Sequence, residues 1–245
     1  MIKFENIEVM GWEAAIRGMR NPMNSWEKGD SFCGDTPCHE CPDNQKCEYY
    51  HHGMEYGKPY RNTRMNFHNY IGPNDLDLMR RLAAGGPVHA KYRRMITVYV
   101  DITAPLYWWK EFDTYKVGTV TNSCSTIHKI ADKEFTLEDF STEHLYSDEL
   151  DFFKEIVDHL NGCRNLYLES KKGESARIQK NDWWQIIQLL PSSYNQKQTV
   201  MVDYEELAGF YSVTKNNDLD EWKEFGKWIE KCLPYSEFII MKKFE

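Results

Sequence analysis

The sequence contains no uninterrupted apolar run of the roughly 18 residues that a membrane-spanning helix needs, so no membrane span is predicted. Its first residues, MIKFENIEVMGWEA, lack the basic start and the apolar core of a secretory signal peptide. The formal net charge is −8, and no block of basic residues is dense enough to follow a nucleic-acid backbone. These absences predict a cytoplasmic protein that binds neither a membrane nor a nucleic-acid polymer.

Standard catalytic motifs are missing as well. The sequence has no Ser-His-Asp arrangement, no paired-carboxylate motif and no Gly-rich phosphate loop. It also has no internal repeat and no low-complexity tail. A chain of 245 residues can bury a sizeable core as one domain, or as one domain with an insertion. We therefore predict a single domain over residues 1–245.

One segment of the chain has an unusual composition. Residues 30–73 are rich in Gly, Pro, Asn, Asp, Cys and His, and they follow neither the strand period nor the helix period. A loop of this length is unusual in a compact domain unless something ties it down. Four of the seven cysteines in the chain lie here: Cys33, Cys38, Cys41 and Cys47. In a cytosolic protein such a cluster indicates metal binding before disulfides.

The spacing of these four thiols predicts a closed structural zinc site that holds the insertion in shape, because four thiolates complete a tetrahedral shell. Turn-forming residues, Gly34, Pro37 and Pro42, fall where the chain would wrap round the ion. An iron–sulfur cluster is the alternative metal group. A loop whose reduced cysteines bind nothing is the third interpretation.

The rest of the chain shows the periods of strands and helices. Apolar residues alternate from Ile96 to Ile102, which predicts a strand over 95–102 with one buried side. Thr103 is predicted to cap the next helix, with Pro105 near its start. A helix that begins at Ser147 is predicted to end at 161–162, where Asn precedes Gly. Three residues are predicted to be the N-caps of other helices: Asn74, Asp203 and Asp218. A short helix is predicted to open at Asp182, and a strand is predicted at 199–202.

Four pieces of the sequence follow one another in a recognisable order. A helix leads into a Gly-His turn, the strand and helix after it lead into an Asn-x-x-Ser segment, a Leu-Pro pair precedes a strand, and two helices follow. The residues concerned are Gly85–His89, Asn122-x-x-Ser125, Leu189-Leu190-Pro191, Glu206-Leu207-x-x-Phe210 and Glu221–Cys232. Over most of residues 74–232 this order resembles the flavin-dependent thymidylate synthases, the ThyX family.

The resemblance implies an α/β (α+β) fold, in which a ThyX-like mixed sheet is flanked by helices and interrupted by the Cys-rich insertion. It also implies a homotetramer that binds FAD and dUMP at subunit junctions. Members of the family methylate the uracil ring with NADPH and methylene-tetrahydrofolate, and the protein supplies binding and electrostatics to the cofactor. Arginines would hold the phosphates and the flavin, since their forked donors bind anions in a bidentate manner.

The sequence departs from the family pattern at several charged positions. The Arg-His-Arg motif of the family is missing, because it falls at about 114–116, where only Lys116 is charged. In the Asn-x-x-Ser segment, Ser123 replaces a Glu, Ile127 replaces the Arg that would contact the substrate phosphate, and His128 replaces a Tyr. This chain is therefore predicted to be a divergent relative, in which most of the cationic ligands are lost.

Two further departures reverse the sign of the charge. The family's Asn-x-Arg becomes Asp203-x-Glu205, and a Glu-His pair that follows the Gly-His turn becomes Arg93-Arg94. Two interpretations follow from the changed charges. In the first, the site is rebuilt for a different anion or nucleotide; in the second, it is abandoned for methylation and kept as a scaffold.

The candidate site residues follow from the matches and from residue chemistry. Ser125 matches a substrate-contacting serine, and His128 can act as a general acid or base by residue type. Asn122 can hydrogen-bond to the edge of a pyrimidine, and His89 can stack on a ring or donate to it. Candidate contacts to the cofactor or to phosphate complete the set: Arg93, Arg94 and Lys116.

Two functions are consistent with these residues. The first is a divergent ThyX-like enzyme, a methyltransferase and oxidoreductase that acts on a pyrimidine nucleotide, with FAD as its cofactor. The second is a non-catalytic protein on the same fold that binds a nucleotide-like small molecule or serves assembly. Each of these chemistries also has a simpler alternative, since small polar residues often only cap a turn and surface cations are common.

Overall fold

The computed structural model describes residues 2–34, 68–125, 129–173 and 175–240. The strands are β1 Lys3–Met10, β2 Phe32–Gly34, β3 His68–Tyr70, β4 Thr97–Pro105, β5 Val120–Ser123 and β6 Asn195–Asp203. The helices are α1 Trp12–Arg20, α2 Pro73–Ala84, α3 Leu106–Tyr115, α4 Ser147–Ser170, α5 Ala176–Leu189, α6 Tyr204–Thr214, α7 Asp220–Cys232 and α8 Glu237–Ile240. Within these ranges, none of the helices combines the length and the apolar composition that crossing a bilayer requires.

Four of the strands form one sheet, in the order β1-β4-β6-β5, and β2 pairs with β3 in a second, antiparallel sheet. Strands β4 and β6 run in opposite directions, because Tyr204 N donates to Ile96 O at 3.1 Å while Leu106 N donates to Tyr194 O at 3.0 Å. The predicted α/β (α+β) class, a sheet with flanking helices, is confirmed.

The described chain divides into two compact units. The first unit comprises Met1–Lys3, Ile102–Thr114 and Asn122–Gln198, and the second comprises Phe4–Asp101, Tyr115–Thr121 and Thr199–Glu245. The boundary thus falls inside β1, β4, β5 and β6, the four strands of the larger sheet. The single domain over 1–245 and the insertion over 30–73 stay predictions.

The first unit has a core of its own between α4, α5 and the segment that precedes α4. Its buried residues are Ile130, Ala131, Phe135, Phe140, Val157, Leu160, Cys163 and Ile186. The predicted end of α4 near residue 161 is wrong, since the helix continues to Ser170. Asn161 stays helical because its side-chain amide binds the segment before α4: Oδ1 accepts from Phe135 N at 2.8 Å, and Nδ2 donates to Phe135 O at 2.9 Å.

Strand β4 is longer than predicted. Its alternation is as expected, with Ile96 and Ile102 among the buried residues, but the strand runs on to Pro105. Thr103 and Pro105 therefore lie in the strand and do not begin a helix. Pairing with the chain before β6 explains the extension, since Leu106 N donates to Tyr194 O and Tyr107 N donates to Ser192 O, each at 3.0 Å.

The second unit contains a buried ion pair that fixes the start of α2. Arg20 Nε donates to Asp75 Oδ1 at 2.5 Å, and both side chains are almost fully buried. Asp30 caps the helix from a distant point in the sequence, because its carboxylate accepts from Asn74 N at 2.8 Å and from Asp75 N at 3.1 Å. The prediction that Asn74 is the N-cap is therefore wrong: Gly72 holds that position, and a Cβ there would lie 2.2 Å from Asp30 Cγ.

Candidate functional site

Carboxylates shape the first turn of α6, in the second unit. Asp203 and Glu206 form a capping box: Glu206 N donates to Asp203 Oδ1 at 2.8 Å, and Asp203 N donates to Glu206 Oε2 at 3.5 Å. The prediction of Asp203 as the cap is confirmed. Burial raises the pKa of Asp203, and the nearby charge of Glu206 contributes in the same direction. The chain itself thus supplies the acceptors at this helix end.

Glu205 joins the same turn to the 3₁₀ turn Lys91–Met95. Arg93 Nη1 donates to Glu205 Oε2 at 3.2 Å, with the Arg93 side chain 1% exposed and the Glu205 side chain 16% exposed. Beside the pair, Tyr92 Oη donates to Met79 O at 3.1 Å. Burial raises the pKa of Tyr92 to about 12, although the Arg93 charge opposes the rise. The two positions at which the sequence reverses the family's charges are therefore partners in one ion pair.

Glu206 also holds the segment that carries Lys116. Glu206 Oε1 accepts a hydrogen bond from Gly118 N, and Thr119 Oγ1 lies 3.3 Å from the same oxygen. A Cβ at Gly118 would lie 3.2 Å from Glu206 Oε1, so the close approach favours glycine. Lys116 is half-buried in this segment. The side chain of Glu206 thus serves both the helix cap and the chain between α3 and β5.

The Gly-His turn after α2 is built around Gly86, which has φ +86°. His89 N and Ala90 N both donate to Gly86 O at 3.0 Å. The exposed His89 ring packs over Gly85, where a Cβ would lie 3.1 Å from His89 Cδ2. Arg94 is exposed in the next turn. His89 and Arg94 are therefore open to solvent, unlike Arg93.

The Asn-x-x-Ser segment belongs to the first unit, where it forms the end of β5 and the residues after it. Asn122, Ser123, Cys124 and Ser125 are all exposed. Cys124 N donates to Lys197 O at 2.9 Å, which extends the pairing with β6 beyond the end of β5. His128 lies outside the described residues. The amide of Asn122 and the hydroxyl of Ser125 are thus displayed at an edge strand of the sheet.

The predicted site residues fall in both units. Within the second unit, Arg93 and the Lys116 segment converge on the first turn of α6, through Glu205 and Glu206. Asn122 and Ser125 lie in the first unit, and their assembly with the others into one site stays a prediction. The capping-box spacing from Asp203 to Glu206 was a local signal, whereas nothing in the sequence paired Glu205 with Arg93.

The predicted zinc site falls mostly outside the described part of the chain. Cys38, Cys41 and Cys47 lie there, and only the backbone of Cys33 is described, in β2. Among the described residues, no group of three or more His, Cys, Asp or Glu side chains is arranged to hold a metal ion. The structural zinc site therefore stays a prediction. Metal analysis of protein purified without chelator tests it.

The fold of this chain matches that of solved structures. Thymidylate synthase X from Helicobacter pylori, with FAD and dUMP, matches with a TM-score of 0.59 and 12% identity, over 99% of this chain and 98% of that one. The chain has a ThyX-like fold. A second structure, of flavin-dependent thymidylate synthase ThyX from Helicobacter pylori complexed with FAD and dUMP, gives the same score and identity over 98% of each chain. Neither a family model nor a curated protein matches the sequence.

The ThyX-like fold allows a test of whether the charged residues suit FAD. A dinucleotide carries a diphosphate, which needs cations or open N–H groups. At the first turn of α6 the cap is closed by Asp203 and Glu206, position 205 carries a carboxylate, and Arg93 is buried against it. These residues do not fit a phosphate. The roles of Arg94 and Lys116 as anion contacts stay predictions.

Proposed function

We propose that this protein binds a pyrimidine nucleotide or a similar small molecule on its ThyX-like fold, without FAD-dependent methylation of dUMP. The observation that carries the proposal is the Arg93–Glu205 ion pair. In this pair the positive charge of Arg93 is neutralised inside the protein, at a turn where binding of the FAD diphosphate would need cations. A non-catalytic binding function is therefore preferred to a divergent methyltransferase.

The exposed segment from Asn122 to Ser125 supports the nucleotide part of the proposal. A pyrimidine edge presents alternating donors and acceptors, and an Asn amide offers both a donor and an acceptor. The Ser125 hydroxyl can play either role in the same contact. The two Helicobacter pylori ThyX structures that match over nearly the whole chain were solved with dUMP, which identifies a suitable probe.

The charges in the second unit support the part of the proposal that excludes FAD. Removing Arg93 from its pair to bind a phosphate would leave Glu205 with an uncompensated charge, which costs several kcal/mol, on the order of 3 or more. A nucleotide monophosphate has one phosphate group instead of the diphosphate of FAD, so it requires fewer cationic contacts. A homo-oligomer, as in the family it resembles, belongs to the proposal, and analytical ultracentrifugation tests it.

Calorimetric titration with dUMP and with FAD tests the proposal. We expect dUMP to bind and FAD to leave no heat and no yellow spectrum on the protein. Ser125→Ala should weaken dUMP binding about tenfold, because a hydrogen bond to the ligand is lost. Ser192→Ala is the matched control, since Ser192 is an exposed serine in the same unit.

The competing enzyme hypothesis has its own readout. A protein that binds FAD and oxidises NADPH only when dUMP is present is a divergent ThyX-like enzyme, and that result would refute the non-catalytic proposal. A protein that binds neither dUMP nor FAD would refute both. Equal dUMP affinities for Ser125→Ala and Ser192→Ala would remove Ser125 from the site.

A further inference from the structure

A chain of amide groups holds the end of β5 in the first unit. Gln198 Nε2 donates to Gln196 Oε1 at 3.0 Å, and Gln196 Nε2 donates to Cys124 O at 2.8 Å. Gln198 is 8% exposed, whereas Cys124 is exposed. A buried amide is thus connected, through one intermediate side chain, to the peptide group immediately before Ser125.

The backbone on both sides of this contact is also fixed. Cys124 N donates to Lys197 O at 2.9 Å, so both polar groups of the Cys124 residue are bound to consecutive residues of β6. Trp109, buried on α3, donates from Nε1 to Gln196 O at 2.9 Å and holds that residue in turn. The peptide at Cys124 is therefore held at its N–H and at its carbonyl by β6, whose Gln196 is in turn bound by the buried Trp109 and Gln198.

This arrangement goes beyond what strand pairing needs. Strand β5 ends at Ser123, so the Cys124 carbonyl lies past the strand that pairs with β6. A backbone carbonyl at that point can be satisfied by water at little cost, since the surface there is exposed. A side-chain donor adds order, because it fixes the direction of the peptide that leads to Ser125.

We propose that Gln196 is a positioning residue for the Asn122–Ser125 binding segment, and that Gln198 acts through it. The inference rests on the proposed function, in which Asn122 and Ser125 contact a pyrimidine ring. By holding the Cys124 carbonyl, Gln196 lowers the number of conformations of the segment before the ligand arrives. Such preorganisation strengthens binding without any contact between Gln196 and the ligand.

Two measurements on Gln196→Met test the inference, because Met is close to Gln in length and has no amide. The first is the dissociation constant for dUMP, which we expect to rise about tenfold as the segment loses its order. The second is the alkylation rate of the Cys124 thiol by iodoacetamide, followed by peptide mass spectrometry. We expect this rate to change at least about threefold, since the thiol sits on the released peptide.

Gln185→Met is the matched control. Gln185 lies in the same unit and donates from Nε2 to a backbone carbonyl, that of Asn181, at 3.2 Å, but on the exposed side of α5. It should leave both measurements unchanged. Gln198→Met should change the dUMP dissociation constant and the alkylation rate in the same direction as Gln196→Met. The changes should be smaller, because the Gln198 amide is one hydrogen bond further from Cys124.

The outcomes separate the inference from the proposed function. If wild-type protein does not bind dUMP, the proposed function fails, and the alkylation rate still decides whether Gln196 orders the segment. An alkylation rate in Gln196→Met equal to that in Gln185→Met overturns the inference. So does a dUMP affinity that falls only in proportion to a lowered melting temperature in both variants, since that would be a general loss of stability.

Discussion

The first turn of α6 and the end of β5 use polar residues in opposite ways. In the turn, Asp203, Glu205 and Glu206 all have partners within the chain, and the Arg93 guanidinium is buried against Glu205. At the strand end, Asn122 and Ser125 face solvent, while the backbone between them is held. Charge alone therefore does not identify a binding site. Arg93 shows that a charged group predicted to contact a ligand can instead be paired inside the protein.

The largest expected effect comes from breaking the buried pair. Arg93→Met should lower the free energy of unfolding by about 3 kcal/mol, because it leaves Glu205 without its partner. Urea denaturation measures the change. The double variant Arg93→Met with Glu205→Leu should recover most of it. If Arg93→Met instead abolished dUMP binding at unchanged stability, Arg93 would be a ligand contact and the contrast between the two regions would fail.

The buried ion pair between Arg20 and Asp75 tests whether buried charges in the second unit are generally paired within the chain. Burial alone would raise the pKa of Asp75, but hydrogen bonds from Ser31, Arg20 and the backbone hold it below its usual value of 3.8. The folded protein therefore binds the Asp75 proton less tightly than the unfolded chain does. The resulting stability is present at neutral pH and is lost as the pH falls through the folded-state pKa.

Asp75→Asn should accordingly lower the free energy of unfolding by about 2 kcal/mol at pH 7, since hydrogen bonds to a charged acceptor are lost. The difference between variant and wild type should shrink as the pH falls below 3.8. Urea denaturation between pH 3 and pH 7 measures it. A difference that stays constant over this range would mean that the Asp75 charge contributes nothing.

A smaller effect is expected from the side chain that joins the helix cap to the Lys116 segment. Glu206→Ala should cost about 1 kcal/mol, because it removes half of the capping box and the acceptor for Gly118 N. Glu224→Ala is the control, since Glu224 forms only an exposed pair with Lys227 and should change stability very little. Equal losses in the two variants would argue against an anchoring role for Glu206.

The smallest effect on stability should come from the strand end. Ser125→Ala is expected to change the free energy of unfolding by less than about 0.5 kcal/mol, because the side chain is exposed. Its effect should appear in dUMP affinity instead. Thermal unfolding and calorimetry on the same samples separate the two quantities. A large loss of stability would show that Ser125 has a structural role. The end of β5 would then use its polar side chains within the fold, as the first turn of α6 does.

The sequence by itself determined the features that depend on neighbouring residues. The alternation in β4 followed from the period of a strand, and the cap at Asp203 followed from its residue type in front of an apolar helical pattern. The fold class was predicted differently, from the order of sequence pieces that resembles the ThyX family. Exposure at Asn122 and Ser125 was consistent with their polarity, although their role as ligands stays a prediction.

Only the tertiary structure decided how the charges are used. Arg93 and Glu205 are 112 residues apart, and Asp30 caps a helix that starts more than 40 residues later. No local pattern specifies such pairs, because their partners meet only when separate segments fold together. The extension of α4 past Asn161 has the same origin, since a distant peptide occupies the amide that would otherwise favour a helix end. Local chemistry thus set the elements, and burial and long-range pairing decided how the charged side chains are used.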